Sequence, residues 1–208
     1  NTIKGSQNTA EIGTTNNLIL GESNTIKSTA RNNIIIGDNN EVYSTVNNAT
    51  VLGNYGVAQR QGEVVIGGGA FNGLGKGYGQ SSTMTLSGTT TDATVTNLKI
   101  NSSSSDTIIA RDSTSSVQGF EANLIGVRTG GSSGSGAVYD RIFLRTTGIV
   151  WAKLVNQTVA TLGSAGTVTG WTSGVVFAGT NDMYFSVTGA ANMDISWSCT
   201  LNLYEIRV

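Results

Sequence analysis

Residues 33–48 read Asn-Ile-Ile-Ile-Gly-Asp-Asn-Asn-Glu-Val-Tyr-Ser-Thr-Val-Asn-Asn, and variants of this sixteen-residue unit recur through residues 1–67. Asparagine recurs every eight residues, at Asn8, Asn16, Asn24, Asn32, Asn40 and Asn48. An apolar residue followed by glycine recurs every sixteen residues, at Leu20-Gly21, Ile36-Gly37 and Leu52-Gly53. A short fixed period is typical of stacked, nearly identical layers rather than of an ordinary globular core.

Each sixteen-residue unit predicts two short strands and two turns. The first strand, Asn33–Gly37, ends at a glycine, which can take a positive φ without steric cost. The second and weaker strand is Glu41–Thr45. Asparagine tolerates the left-handed conformation and can stack its side-chain amides between layers, which suits the corners. Residues 1–67 therefore predict a narrow β-roll, or β-solenoid, of about four coils.

One chain of such a roll has a thin core, which predicts that several copies associate. Burying an apolar side chain contributes about 1.5–3 kcal/mol, whereas ordering the backbone costs about 1–2 kcal/mol for every residue. Strand alternation also points Ile35 to the opposite face from Ile34 and Ile36. Packing copies of the roll around an axis buries both faces, so we expect a homo-oligomer.

Composition excludes several classes of function. The 208 residues include 28 glycines, one cysteine, no histidine and no proline, and the net charge is −1. No basic stripe is present to bind a phosphate backbone, and no apolar run has transmembrane length. We therefore expect neither nucleic-acid binding nor membrane insertion. The absence of histidine removes the commonest general base and most zinc sites, so we expect no catalysis, no metal and no cofactor.

Residues 68–80 are rich in glycine and predict a boundary. A flexible linker is one interpretation, but Phe71, Leu74 and Tyr78 are unusual in a spacer. We therefore predict a neck in which glycines let neighbouring chains approach closely.

Residues 81–208 read as strand after strand, with turn residues every eight to twelve positions. This pattern predicts a C-terminal antiparallel β-sandwich of the jelly-roll kind. The glycine- and serine-rich stretch 130–136 predicts a hairpin tip. The lone cysteine, Cys199, alternates with Ile195 and Trp197 and predicts a buried strand face.

Aromatic side chains are the candidate ligand contacts, because sugar-binding proteins stack exposed aromatic faces on pyranose rings. Trp171 lies in a turn-like Gly-Trp-Thr-Ser-Gly stretch, where either an exposed ring or a buried core ring is compatible with the sequence. We select as ligand-binding candidates Trp171, Tyr139, Asn181 and Asp182, together with the polar tip at Ser132–Ser135. A glycosidase needs two carboxylates, and no spacing singles out a pair among Glu121, Asp140, Asp182 and Asp194.

Two resemblances fit these predictions. The Asn-x-apolar-x-apolar-Gly coils of residues 1–67 resemble the head repeats of trimeric adhesins of the YadA type, although the sixteen-residue period and the lack of an alanine column depart from that pattern. The strings 182–189 and 195–205 are similar to the end of a β-sandwich domain of phage tail fibres and tail spikes. The stretch 80–93 resembles the beginning of such domains.

These resemblances imply a homotrimeric phage tail fibre or receptor-binding protein on the virion tail. Its expected partners are two further copies of itself, other virion tail proteins and a host cell-surface polysaccharide or glycan. Three weak sites on one trimer gain avidity from their effective concentration. The alternatives are a purely structural fibre segment and a polysaccharide-degrading tail spike. Because the chain opens on Asn1 within the repeat, we also expect it to be the C-terminal part of a longer protein or a processed product.

Overall fold

The computed structural model describes residues 1–70, 73, 75–100, 108–109, 116–151, 154–178 and 182–207. Every regular element in these ranges is a β-strand, which confirms the all-β class. The chain forms two compact units. Unit 1 contains Asn1–Met84, Ser115–Val117 and Leu203–Val208, and unit 2 contains Thr85–Thr114 and Gln118–Asn202.

Unit 1 contains a β-solenoid of about four coils, as the repeat predicts. Its strands are β1 (Thr2–Lys4), β2 (Thr9–Ala10), β3 (Leu18–Leu20), β4 (Thr25–Ile26), β5 (Ile34–Ile36), β6 (Glu41–Val42), β7 (Thr50–Asn54), β8 (Val57–Ala58) and β9 (Val64–Gly68). The odd-numbered strands form one parallel sheet and the even-numbered strands another. Leu18 pairs with Ile34 and Ile34 with Thr50, so the sixteen-residue period of the sequence is the register of the sheet.

The solenoid core is one side chain wide in each sheet. The inward-facing residues of β3, β5, β7 and β9 are fully buried and cluster with Ile26 and Val42 of the even-numbered strands; they are Ile19, Ile35, Val51 and Val65. Their neighbours in each odd-numbered strand, such as Ile34 and Ile36, point outward because strand side chains alternate. The predicted alternation is therefore confirmed, and a row of apolar side chains is left on the outer face.

Asparagine side chains hydrogen-bond one coil to the next. They form two columns, Asn8-Asn24-Asn40 and Asn1-Asn17-Asn33. The Oδ1 of Asn24 accepts the Asn40 backbone N–H at 2.9 Å, and the Oδ1 of Asn33 accepts the Ala49 backbone N–H at 2.8 Å. In the same columns, each side-chain Nδ2 donates to a backbone carbonyl, as Asn33 does to Val46 at 2.9 Å. Buried backbone groups at the corners are thereby satisfied.

The eight-residue asparagine spacing combines two different roles. Asn16, Asn32 and Asn48 do not belong to the two columns; they take positive φ values of 57°, 57° and 60°. The sequence interpretation assigned the left-handed conformation and the amide stacking to the same corner residues. In the structure, Asn8, Asn24 and Asn40 stack as predicted, but at the alternate corners the stacking belongs to the buried Asn17 and Asn33 instead of Asn16 and Asn32.

The recurring glycines allow adjacent coils to touch. Gly21 and Gly37 have φ values of 130° and 126°, which favour glycine. A Cβ on Gly37 would lie 1.9 Å from the carbonyl oxygen of Gly53, which is backbone and has no free rotation. Glycine is therefore required here by both conformation and contact.

Replacing Gly37 with alanine should destabilise the solenoid by about 3 kcal/mol or more, because the new methyl group must separate two coils. Urea unfolding followed by circular dichroism measures this loss. Gly163→Ala is the matched control, since a Cβ at Gly163 meets no atom within 4 Å. Equal unfolding midpoints for Gly37→Ala and the parent chain would contradict the close contact between coils.

A buried ionic cluster covers the last coil within unit 1. Arg60 pairs with Glu63 at 2.5 Å and with Glu205 at 2.9 Å, and all three side chains are buried. Gln80 donates to Glu205 at 2.8 Å and accepts the Val57 backbone N–H at 2.9 Å. Burial opposes the charge on Arg60, but the carboxylates of Glu205 and Glu63 more than offset it, so the pKa of Arg60 stands above its ordinary value. Such a cluster holds only while each charge keeps its partner.

The remaining strands are β10 (Gly79–Thr90), β11 (Val95–Asn97), β12 (Lys99–Ile100), β13 (Ile108–Ile109), β14 (Ser116–Gly131), β15 (Arg141–Trp151), β16 (Leu154–Ala165), β17 (Thr172–Ala178), β18 (Asp182–Thr188) and β19 (Met193–Arg207). In unit 2 one sheet has the order β12-β10-β19-β14-β15-β16. In the second sheet β18 pairs antiparallel with β11, β13 and β17.

The buried faces of these two sheets meet. Ile195, Trp197 and Cys199 of β19 are buried, which confirms the core face predicted from their alternation. The ring of Trp171, just before β17, contacts that of Trp197, and the Thr146 and Ser173 hydroxyls lie 2.6 Å apart. Burial raises the pKa of Cys199 to about 12, so its thiol stays neutral.

The predicted neck, residues 68–80, spans a reversal of the chain. Strand β9 ends at Gly68, and β10 begins at Gly79 and runs antiparallel to β9, with Gln80 opposite Gly67. Phe71 and Leu74 lie outside the described residues, and Tyr78 is half-buried. The domain boundaries at residues 67 and 80 stay predictions.

Candidate functional site

The candidate site lies at one end of unit 2, where two loops meet. Residues 132–140 join β14 to β15, and residues 166–171 follow β16. Strands β15 and β16 are paired from Arg141 opposite Ala165, so both loops leave the sheet at the same end. We call residues 132–140 and 166–171 the paired loops.

A buried carboxylate, that of Asp140, fixes the paired loops. One carboxylate oxygen accepts the Thr167 backbone N–H at 2.6 Å. The other accepts the backbone N–H groups of Ser135 at 2.8 Å and Gly136 at 3.3 Å, and lies 3.6 Å from the Arg128 guanidinium. The carboxylate of Asp140 thus holds the two loops together, although neither loop forms regular secondary structure.

Glycine and arginine complete this arrangement. A Cβ on Gly134 or Gly166 would lie 2.4 Å or 2.1 Å from a carboxylate oxygen of Asp140, so both positions need glycine. The Arg128 guanidinium also donates to the carbonyls of Gly130 at 2.8 Å and Gly131 at 2.6 Å. The serine- and glycine-rich stretch is therefore held in a defined conformation.

The backbone hydrogen bond from Thr167 is the largest influence on Asp140 and lowers the pKa of its carboxyl group below the ordinary 3.8. Burial acts in the opposite direction, and the Ser135 and Gly136 N–H groups add to the lowering. The carboxylate is therefore charged at neutral pH, as its role as a hydrogen-bond acceptor requires.

Tyr139 is the exposed aromatic residue of the paired loops, with 71% of its surface accessible. Its neighbour Val138 takes a φ of 59°, an uncommon conformation for a β-branched residue, and donates its N–H to the Arg128 carbonyl at 2.9 Å. The hydroxyls of Ser135 and Thr167 lie 2.9 Å apart nearby. An exposed ring can stack on a sugar, and hydroxyls held in the same paired loops can hydrogen-bond the hydroxyl groups of the sugar.

A groove of about 410 Å³ lies on the outer face of β14, β15 and β16. Its lining includes Ile125, Val127, Arg141, Phe143, Gly163 and Ala165. A β-bulge between Phe143 and Leu144 leaves Leu162 without a partner in the register, and Gly163 faces Phe143 across the strands. Bulges occur often beside binding sites, where they redirect side chains.

The prediction that Trp171 contacts a ligand needs correction, because its ring is buried in the core. Only 5% of the residue is accessible. Its indole packs edge to face on Trp197, with ring centroids 5.6 Å apart and an interplanar angle of 61°. The turn before β17 places the ring in the apolar core, where an indole buries far more surface than at a loop tip.

The other candidates are placed as follows. Asn181 lies outside the described residues; Asp182 begins β18, where its backbone pairs with Ala178 and Ile109. Of the carboxylates that sequence left open for a glycosidase pair, Asp140 is held in the loop network, and Glu121 lies 3.4 Å from Arg145. Sequence reasoning missed Asp140 as the residue that orders the loops; the glycines around it, spaced along 130–136, were the available signal.

Neither a metal-binding cluster nor a membrane-spanning helix is found among the described residues. No cluster of three His, Cys, Asp or Glu side chains among them is placed to hold a metal ion. The described part of the chain also contains no helix with the length and apolarity to span a bilayer.

Comparisons with known proteins find structural similarity at low sequence identity. No family model and no curated protein matches the chain. The structure is similar to the tailspike protein of Acinetobacter baumannii phage AM24, with 11% identity and a TM-score of 0.30, over 95% of this chain and 50% of that one. It is also similar to the tailspike protein of Acinetobacter phage vB_ApiP_P1, with 9% identity and a TM-score of 0.27, over 92% of this chain and 47% of that one. This chain spans about half the length of both tailspikes. Both TM-scores are low, so these similarities carry no argument about function.

The Asp140 network should come apart in acid. The pKa of Asp140 is lower in the folded state than its ordinary value of 3.8 in the unfolded state. The stabilisation that the ionised carboxylate gives the fold is therefore complete above the unfolded-state pKa and is lost as the pH falls through the lower folded-state value. The ¹H–¹⁵N resonance of Thr167 should therefore titrate with a midpoint below 3.8.

Asp140→Asn is the control for this titration, since it keeps the shape of the side chain and removes the charge. In that variant the Thr167 resonance should show no titration in the same range. A Thr167 midpoint above 3.8 in the parent chain would contradict the depressed pKa.

Proposed function

We propose that this chain is a receptor-binding component of a phage tail, a homotrimer whose solenoid mediates association and whose unit 2 binds a host surface glycan. The proposed association is supported by the exposed apolar side chains on the outer face of the odd-numbered solenoid strands. Its apolar residues are Leu18, Leu20, Ile34, Ile36, Leu52, Val64 and Ile66, and Ile34, Ile36 and Ile66 are 39%, 44% and 56% accessible.

This face fits further copies of the same chain. Soluble monomers rarely expose a contiguous apolar surface of this kind. Within unit 1 the apolar surface continues past Ile66 into a groove of about 390 Å³ that Tyr204 and Ile206 also line. Copies of one chain present the same column at the same sixteen-residue spacing, and closed symmetric assemblies are the usual outcome of such self-association. The resemblance of the repeats to trimeric head domains favours three copies.

The oligomer can be tested by light scattering of the purified chain. We expect three times the chain mass of 21.5 kDa. The double variant Ile36→Glu/Ile66→Glu should give monomers, because six carboxylates would face one another in a trimer. Ile12→Glu is the matched control: Ile12 is 90% accessible and lies outside the odd-numbered strands. A monomeric parent chain would overturn the proposed assembly.

Recognition is assigned to unit 2. We propose that its two sheets form a β-sandwich of the jelly-roll kind that presents the paired loops. What supports this role is the fixed position of Tyr139: the ring is exposed, but its loop is held by the buried Asp140. A pre-ordered loop loses less entropy on binding than a free one. Three such sites on one trimer would raise the overall affinity well above that of each.

Tyr139→Ala should weaken binding of the chain to bacterial surface polysaccharides by at least about tenfold, because the ring is the stacking surface. The measurement is a microarray of purified polysaccharides from encapsulated bacteria. Tyr43→Ala is the control, since Tyr43 is an exposed aromatic residue of the solenoid. Unchanged binding by Tyr139→Ala would remove Tyr139 from the site.

The same microarray separates the alternative functions. Binding followed by release of reducing ends would identify a polysaccharide-degrading tail spike. Failure of the intact trimer to bind any polysaccharide would favour a purely structural segment of the tail.

A further inference from the structure

The groove on the outer face of unit 2 has the dimensions of a ligand site. Its volume of about 410 Å³ lies within the usual range for small-molecule pockets, about 300–1,000 Å³. The concavity arises because Gly163 and Ala165 are small, while Phe143 stands across the strands from Gly163. A Cβ built on Gly163 meets no atom within 4 Å, so the space above it is open.

The walls of the groove are mostly apolar. Phe143 and Ile125 are 39% and 53% accessible, so each offers a substantial surface to an occupant. The C–H face of a pyranose ring packs on an aromatic ring in the same way as other apolar groups do. Apolar walls with one charged group fit a ligand that is amphipathic and bears a single ionised group.

Arg141 is the charged residue of the groove lining, and its charge is not neutralised by the described part of the chain. No described carboxylate forms an ion pair with it, although other arginines of unit 2 are paired. Arg128 lies beside Asp140, and Arg145 lies 3.4 Å from Glu121. Asp140, the neighbour of Arg141 in sequence, is buried and faces Arg128 and the paired loops.

We propose that this groove binds a sugar that carries a carboxylate, a hexuronic acid or a sialic-type acid, with Arg141 as the anion anchor and Phe143 as the stacking surface. A guanidinium presents paired donors that match the two oxygens of a carboxylate. This inference rests on the proposed glycan binding and adds to it the chemical class of the ligand. The groove and the paired loops lie at the same end of β15 and β16, so one glycan chain can contact both.

The test is a ¹H–¹⁵N titration of the whole oligomer with four probes at millimolar concentration. The probes are D-glucuronate, N-acetylneuraminate and the methyl ester of each, which keeps the ring and removes the charge. We expect at least one acid to shift the Gly163 and Ala165 amides, and its ester to bind about tenfold more weakly.

Three variants locate the interaction. Arg141→Gln should weaken binding of the acid about tenfold and abolish the preference over the ester. Arg145→Gln is the matched control, because Arg145 projects from the same face of β15 but is already paired, and it should bind as the parent does. Gly163→Leu should block both the acids and their esters, since the added side chain would occupy the groove while its Cβ meets no atom within 4 Å.

The outcomes separate this inference from the function proposed above. Equal binding of acid and ester, an unaffected Arg141→Gln variant, or no shift with any probe would overturn the acidic-sugar assignment. Polysaccharide binding on the microarray would survive that result if the paired loops alone recognise a neutral glycan. If acids bind in the titration but no polysaccharide binds on the microarray, the groove stands and the host-binding function falls.

Discussion

The structure depends on hydrogen bonding between successive coils at the corners of the solenoid. Each coil turns where its backbone groups have no strand partner, and the buried side chains of Asn24, Asn33 and Asn40 take up those groups. Gly37 then lets the next coil approach to backbone contact. An unsatisfied buried N–H at every corner would cost about 1–3 kcal/mol in each coil. The asparagine columns and the glycine column therefore fix the sixteen-residue register on which both sheets depend.

That register also explains the outer face. A coil with one inward residue per strand can bury Ile19, Ile35 and Val51, but it must expose the residues on either side of them. In the proposed trimer, the neighbouring copies would cover them. The last coil, by contrast, is covered within unit 1 by the ion-paired side chains of Arg60, Glu63 and Glu205. The last coil of the solenoid is thus covered by an ionic cluster, whereas the outer face of its odd-numbered strands is apolar and exposed.

In unit 2, a loop of small residues is held in one conformation. Few side chains in residues 131–137 can pack, so order comes from one carboxylate that accepts three backbone N–H groups. On either side of Asp140 in sequence, Tyr139 is exposed and Arg141 forms no ion pair within the described part of the chain. We therefore expect the conformation of this loop to depend on the charge of Asp140 and on glycine at positions 134 and 166.

From the sequence alone one can predict the repeat, the two strands per coil, the outward placement of Ile34 and Ile36, and the burial of Trp197 and Cys199. These features follow from local periodicity, which a reader of the chain can count. The sequence did not show which asparagines stack, because Asn16 and Asn17 are identical neighbours. Only the geometry of the corner turns Asn17 inward and Asn16 outward. Nor did the sequence determine that Trp171 is buried on Trp197, that Asp140 holds Ser135 and Thr167 together, or that Gly163 faces Phe143 across a bulge. Those contacts join residues far apart in the chain, and only the tertiary structure brings their atoms within reach of one another.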